Sequence, residues 1–234
     1  MDTLVPLVRC MPDGVLSSQQ AYHTAARIRR LVIHEIKVEG LLHISAPHKL
    51  PSLPGFEVLG ILAEHVSLLG GDLLPNLREL VWDVNDPERS IYAPLLFSSC
   101  LVACRIWREN DIPVFLRELA LRSPGVQLLH LPFSVDVDQI SLPPSFHALR
   151  KLHVPMKEYS TLLDFASLQF LESLHWSPSS EQMLPRIHRS LTPYFPALRK
   201  LRLDVGPLDL HHVITFLHSI QTTSLRSFRL HISK

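Results

Sequence analysis

Three histidines, His130, His153 and His175, recur 23 and 22 residues apart; Arg105 lies 25 residues before them, and Arg202 and Arg229 follow at intervals of 27. Imidazole changes its charge near neutral pH, and guanidinium forms paired hydrogen bonds to carboxylate or phosphate. Set side by side, these groups form a strip suited to an acidic peptide or a phosphorylated segment, its charge changing near neutrality. The same residues also suit a plain solvated surface. A metal is a poor match, because it needs at least three ligands converging at about 2.1 Å, and no carboxylate recurs beside these histidines. The strip exists only if other elements bring residues more than twenty apart into register.

Such elements are written into the chain. An aliphatic-type triplet of the form Lxx[L]x[L] recurs eight times. It reads Ile28-Leu31-Ile33, Leu77-Leu80-Trp82, Leu101-Cys104-Ile106, Val126-Leu129-Leu131, Leu149-Leu152-Val154, Leu171-Leu174-Trp176, Leu198-Leu201-Leu203 and Leu225-Phe228-Leu230. From the second triplet on, the starts lie 24, 25, 23, 22, 27 and 27 residues apart, and the first gap of 49 is about two units. A period in the twenties with this signature predicts an α/β leucine-rich-repeat solenoid, with parallel strands on the concave face and helices outside.

Side chains alternate along a strand, so the fourth and sixth repeat positions face a core and the third, fifth and seventh face away. The fifth positions are Val32, Val81, Arg105, His130, His153, His175, Arg202 and Arg229, spaced about 4.8 Å apart from strand to strand. The third positions add Arg30, Glu79, Lys151 and Lys200, and the seventh add His34, Asp83, Trp107, Asp204 and His231. Cations on this face outnumber acids by six (Arg30, Arg105, Lys151, Lys200, Arg202, Arg229) to three (Glu79, Asp83, Asp204). Trp107 is either an exposed anchor of the kind enriched in binding hot spots or a ring folded onto Pro132. Trp82 and Trp176, in sixth positions, belong to the core.

Between the triplets, Ile112, Phe115, Leu116 and Leu119 share a helical face, as do Val213, Phe216, Leu217 and Ile220, and Phe56, Leu59, Leu62, Ala63 and Val66. Asp111 and Asp209 stand at the starts of two of these helices, where a carboxylate suits the helix dipole. Pro75, Pro144 and Pro196 punctuate the approach to strands. One further strand is expected between His34 and Pro75, over about Leu53 to Leu59. The expectation is one domain over residues 1–234, with a helical cap or lead-in over 1–26, repeats over 27–234 and no clear C-terminal cap. An uncapped end reads as the end of a fragment or as a site of self-association.

The 234 residues are 46% hydrophobic and 19% charged, enough for a continuous core and unlike a disordered chain. A net charge of +1 gives no global case for nucleic acid or a membrane surface. Cys10, Cys100 and Cys104 make no secreted disulfide framework, and Cys104 sits at a core position. There is no secretory leader and no apolar run of the roughly 20 residues a membrane helix requires, so a cytoplasmic or nuclear location is expected. Catalytic patterns do not emerge. Gly70-Gly71-Asp72 lacks the lysine of a phosphate loop, no nucleophile elbow occurs, and Asp136, Asp138 and His211-His212 read as surface. A non-enzymatic role with no cofactor is expected.

Leu74-Pro75-Asn76 and Phe195-Pro196-Ala197 lead directly into Leu77-Arg78-Glu79-Leu80 and Leu198-Arg199-Lys200-Leu201, and Leu149-Arg150-Lys151-Leu152 has the same form. With the opening Arg27-Ile28-Arg29-Arg30-Leu31 and the uneven repeat length, this resembles the divergent leucine-rich-repeat region of fungal F-box proteins, from about Gln19 to the end. In that family an F-box docks a Skp-type adaptor of a cullin ubiquitin ligase and the repeats select the substrate. The resemblance therefore implies a protein-interaction scaffold of the substrate-recognition type. The stretch from Met1 to Ala26 lacks the family's Leu-Pro-x-Glu opening, and Leu4-Val5-Pro6 is no substitute, so a Skp-type adaptor is expected only if an F-box lies upstream. The family's asparagine recurs only at Asn85, so other turns must satisfy their backbone groups differently. The alternatives are a GTPase-activating or other enzyme-regulating repeat protein, or a truncated repeat fragment without an independent role. The residues expected to meet a protein partner are Arg105, Trp107, His130, Lys151, His153, His175, Lys200, Arg202 and Arg229.

Overall fold

The computed structural model describes residues 27–34, 72–84, 87–108, 111–131, 146–154, 168–177, 195–205, 213–214, 217–218, 220 and 224–232. Each triplet forms a strand: β1 (Arg30–His34), β2 (Glu79–Asp83), β3 (Ala103–Arg108), β4 (Leu128–His130), β5 (Lys151–Val154), β6 (Ser173–Trp176), β7 (Lys200–Val205) and β8 (Ser227–Ile232). They make one eight-stranded sheet in sequence order, every neighbouring pair parallel. The chain is thus α/β, with few helices among the described residues.

The register is set by the triplets. Leu31, Leu80, Cys104, Leu129, Leu152, Leu174, Leu201 and Phe228 stand opposite one another in turn across the sheet. A slip of one residue would swing each of these anchors to the opposite face and expose it to water, which is why the period-two pattern fixes the pairing. Through β7 the row is fully buried, and Trp82 and Trp176 are buried in the adjacent row. Cys104 is a small buried side chain, and burial pushes its thiol well above the ordinary value. These rows join one core with residues from the connections, including Phe97, Phe146, Phe195 and Val213.

Two helices with distinct bounds lie among the described residues, α1 (Pro87–Ser90) and α2 (Ile112–Arg122). Asp111 caps α2, its carboxylate accepting from the Val114 amide at 3.1 Å. The apolar face Ile112, Phe115, Leu116 and Leu119 is buried as its spacing requires, and Phe115 packs against Trp82 and Phe97 with ring centroids 6.2 and 5.0 Å away. Short helical pieces at 213–214 and 217–218 bring Val213 into the core, with Ile220 buried beyond them. Among the described residues, the connection from β2 to β3 holds α1 and a 3₁₀ turn (Ala93–Leu96) in place of a long helix like α2. Residues 56–66, Asp209 and Phe216 lie outside the described residues.

Ahead of six strands the chain makes a tight turn closed by the anchor's first amide, as in Leu77 N to Leu74 O at 3.0 Å and Leu198 N to Phe195 O at 3.1 Å. Pro75 and Pro196 occupy the second turn position, where their fixed φ suits the bend. They shape the turn. Pro144 is outside the described residues. Phe195 holds φ at 54°, a left-handed backbone that bulky side chains rarely adopt, with its ring buried in the core.

The strand expected between β1 and β2 is not in the sheet at that place. β1 hydrogen-bonds directly to β2 from Arg30↔Glu79 to His34↔Asp83, leaving no edge between them. The blurred match at Leu53 to Leu59 itself lies outside the described residues, as does Asn85. Backbone groups at the turns find serine where an asparagine was absent. Ser98 Oγ donates to Leu77 O at 3.0 Å, Ser123 Oγ to Ser98 O at 2.7 Å, and Ser224 Oγ to Leu198 O at 2.9 Å. Among the described residues, no helix is long and apolar enough to cross a membrane.

Candidate functional site

The pairing brings the fifth-position residues into one row: Val32, Val81, Arg105, His130, His153, His175, Arg202 and Arg229 are consecutive partners across the eight strands. The opposite face of the sheet is the core, so this row points away from it. Beside it, Lys151 and Lys200 flank Ser173 on neighbouring strands. Six of the nine residues expected to meet a partner therefore follow on adjacent strands without interruption, from β3 to β8.

At the centre the aromatic rings lean on one another. The Trp107 ring lies 4.7 Å from His130, His130 lies 3.9 Å from His153, and His153 stacks on His175 at 3.9 Å with the planes 14° apart. Strand spacing of about 4.8 Å brings side chains of this length into contact. His175 Nε2 donates to Asp204 Oδ2 at 2.7 Å, and Arg202 Nε donates to Asp204 Oδ1 at 3.1 Å. The outcome is one continuous stack from an indole to a carboxylate. Trp107 keeps 42% of its surface exposed, so it both packs on His130 and presents an aromatic face; Pro132 lies outside the described residues. Its strand position also shifts. The register slips between Trp82 and Asp83, so that Asp83 pairs with Arg108 and Trp107 leaves the expected column.

The stack changes the electrostatics that the sequence implied. His130 is brought down to about 4, first by its burial and then by the charges of Arg105 and His175. His153 is brought down to about 3, again first by burial, then by His130, His175 and Arg202 against the pull of Asp204. Burial removes the water that would solvate an imidazolium, and two unit charges about 4 Å apart repel by roughly 4 kcal/mol at an effective dielectric constant near 20, so both effects oppose protonation of these rings. His130 and His153 are therefore neutral at neutral pH, and the expectation that they change charge there is corrected. His130 Nε2 is buried without a hydrogen-bond partner among the described residues. Asp204 is raised by burial, but hydrogen bonds from His175 and Arg202 reverse this and hold it below the ordinary carboxylate value.

Charge along the row is uneven. At one end Glu79 takes ion pairs from both Arg105 and Arg30, and Arg108 pairs with Asp83. At the other end, the third-, fifth- and seventh-position residues of β5 to β8 carry Lys151, Lys200, Arg202 and Arg229 against Asp204 alone. No ion pair among the described residues engages Lys151, Lys200 or Arg229, and all three are exposed. This end can receive an anion; the Arg105 end is already neutralised. Parallel imidazole planes point their nitrogen lone pairs alongside one another, which is unsuited to convergence on a metal, and among the described residues no cluster has metal-ligand geometry.

Sequence reasoning placed Glu79 and Asp204 on this face but missed them as partners. The signal was present for Asp204, two residues after Arg202 and so on the same strand face. The turn serines were missed entirely; Ser98 and Ser123 each stand three residues before an anchor. No family model matches the chain, no curated protein matches it, and no solved structure matches it.

Proposed function

We propose that the chain is a leucine-rich-repeat scaffold that binds an acidic or phosphorylated segment of a protein partner on the strand face from Lys151 to Arg229. The reading is supported by one observation above the rest: four cations gathered by register on β5 to β8 face a single carboxylate, Asp204. An extended acidic segment crossing those strands would meet cations on β5, β7 and β8, and guanidinium groups would pair with its carboxylates or phosphates. The stacked rings of His130 and His153, with Trp107, would offer a flat, dry continuation for apolar side chains of the same partner. Binding in place of catalysis agrees with the absence of any nucleophile–base pair among the sequence motifs.

Under this reading the repeats choose a substrate for a ubiquitin ligase, and adaptor docking rests on an F-box outside this sequence. Co-purification with a Skp-type adaptor tests that part alone. The face itself is tested by fluorescence anisotropy against acidic and phosphoserine-containing peptide libraries. Lys200→Glu with Arg202→Glu should weaken the selected peptides at least about tenfold, or about 1.4 kcal/mol. Raising salt from about 0.1 to about 1 M shortens screening from about 10 to about 3 Å and should weaken them as well. Peptides bound equally by the parent and the charge-reversed chain would remove this face from the account.

A further inference from the structure

The core-facing strand positions are buried everywhere except on β8. Leu31 and Ile33, on the other edge strand, are 2% and 5% exposed, whereas Phe228 and Ile232 are 41% and 45% exposed and Leu230 is half-buried. Among the described residues no strand pairs with the outer edge of β8, so a row of backbone donors and acceptors runs alongside these apolar side chains. Edge strands of this kind are templates for pairing with another strand.

We propose that β8 is a self-association edge, pairing antiparallel with β8 of a second copy of this chain about a two-fold axis at Leu230. The residues themselves identify the occupant. From Phe228 to Ile232 the order is apolar, Arg, apolar, His, apolar, a pattern that reads the same in both directions about Leu230. Residues opposite each other in an antiparallel pair share a face. Centred on Leu230, Phe228 of one copy lies opposite Ile232 of the other, and Leu230 lies opposite itself. Both exposed side chains are thereby covered on the core side, and each copy covers the other's. On the outward side Arg229 lies opposite His231 of the other copy, which is itself 4.0 Å from Asp204. The competing register centred on Arg229 would set two guanidinium groups face to face and leave Ile232 without an apolar partner. A shift by a single residue, which would put the axis between two residues, is excluded because it would oppose core-facing to outward-facing positions. A two-fold contact uses the same edge on both copies and closes, so it yields a dimer and not a filament. The two basic faces then run into one sheet.

Light scattering on the full chain reads this directly: a particle of twice 26.6 kDa is expected, dissociating on dilution. Phe228→Lys with Ile232→Lys should return it to a monomer with unchanged circular dichroism. Because that pair of changes also touches the core, cross-linking supplies an independent reading with Cys10 and Cys100 changed to Ser. In the proposed register the two Leu230 Cα atoms are about 4.5–5.5 Å apart, inside the span of a disulfide, while the two Arg229 Cα atoms are roughly 8 Å apart and outside it. Leu230→Cys should therefore form a covalent dimer on mild oxidation, and Arg229→Cys should not. A monomeric mass up to the solubility limit, an open-ended series of larger species, or cross-linking through Arg229→Cys in place of Leu230→Cys would each overturn the proposal.

Discussion

A proton added to His153 would enter a ring held 3.9 Å from the centres of two others, with water largely excluded between them. That single fact fixes the sign of a pH dependence. In the unfolded chain each imidazole takes its proton at the ordinary 6.5, but in the fold His130 does so only at about 4 and His153 at about 3. Below 6.5 the unfolded state therefore binds protons that the native state refuses. The stability is complete above 6.5 and is lost as pH falls toward 4 and then 3. Each histidine contributes at most about 1.4 kcal/mol per pH unit. Discounting by about half for solvent reaching the half-buried His153, we expect a loss of roughly 2 kcal/mol from pH 7 to pH 5. Urea midpoints at the two pH values measure it, and His130→Leu with His153→Leu should flatten the difference. A parent chain whose midpoint did not move on acidification would show that these imidazoles titrate as free ones. Asp204 acts in the same direction at lower pH, since its depressed carboxylate must be protonated before its bonds to His175 and Arg202 are lost.

At the scale of elements, what the sequence made legible was spacing. Eight triplets gave eight strands because an anchor placed one residue out of step would be exposed, and period-two alternation leaves little choice. The α2 helix was legible for a similar reason: Asp111 caps it and its apolar residues fall on one face. The rest of the pattern was harder to read because it depends on partners distant in sequence. Nothing local says that β2 pairs with β1 across the 44 positions between His34 and Glu79, and nothing local says that Glu79 neutralises Arg105. The turn serines make the same point. Ser123 Oγ is fully buried and donates to the Ser98 carbonyl, so Ser123→Ala leaves that acceptor without its side-chain donor. The carbonyl keeps the Leu101 amide at 3.0 Å, so the cost should be about 0.5–1.5 kcal/mol by chemical denaturation. Ser123→Cys, which keeps the volume but donates weakly, should recover only part of it. A neutral Ser123→Ala would mean that water takes over the carbonyl and that these hydroxyls do not replace the asparagine.

At the scale of the whole molecule, the sheet is a row in which, among the described residues, each strand is hydrogen-bonded only to its predecessor and successor. Energy shared between sites should then be confined to neighbours, as in a one-dimensional array. The site inherits this property: its charge was legible only as a count on one face, because the separation into a neutralised end at Glu79 and a cationic end at Lys200 arises from strand order. Two double-mutant cycles test the array. Leu129 and Leu152 are register partners on adjacent strands, both buried. Leu31 and Leu201 occupy the same row on β1 and β7, six strand spacings or roughly 29 Å apart. Single Leu→Val changes should each cost about 1 kcal/mol, since one methylene is removed from a filled core. The adjacent pair should depart from additivity by at least about 0.5 kcal/mol, because each change relaxes the wall of the other's cavity, whereas the distant pair should add within about 0.3–0.5 kcal/mol. Coupling of equal size in both cycles, measured by guanidinium denaturation monitored on the buried Trp82 and Trp176, would mean that the core responds as one body and that binding at the Lys200 end is felt as far as β1.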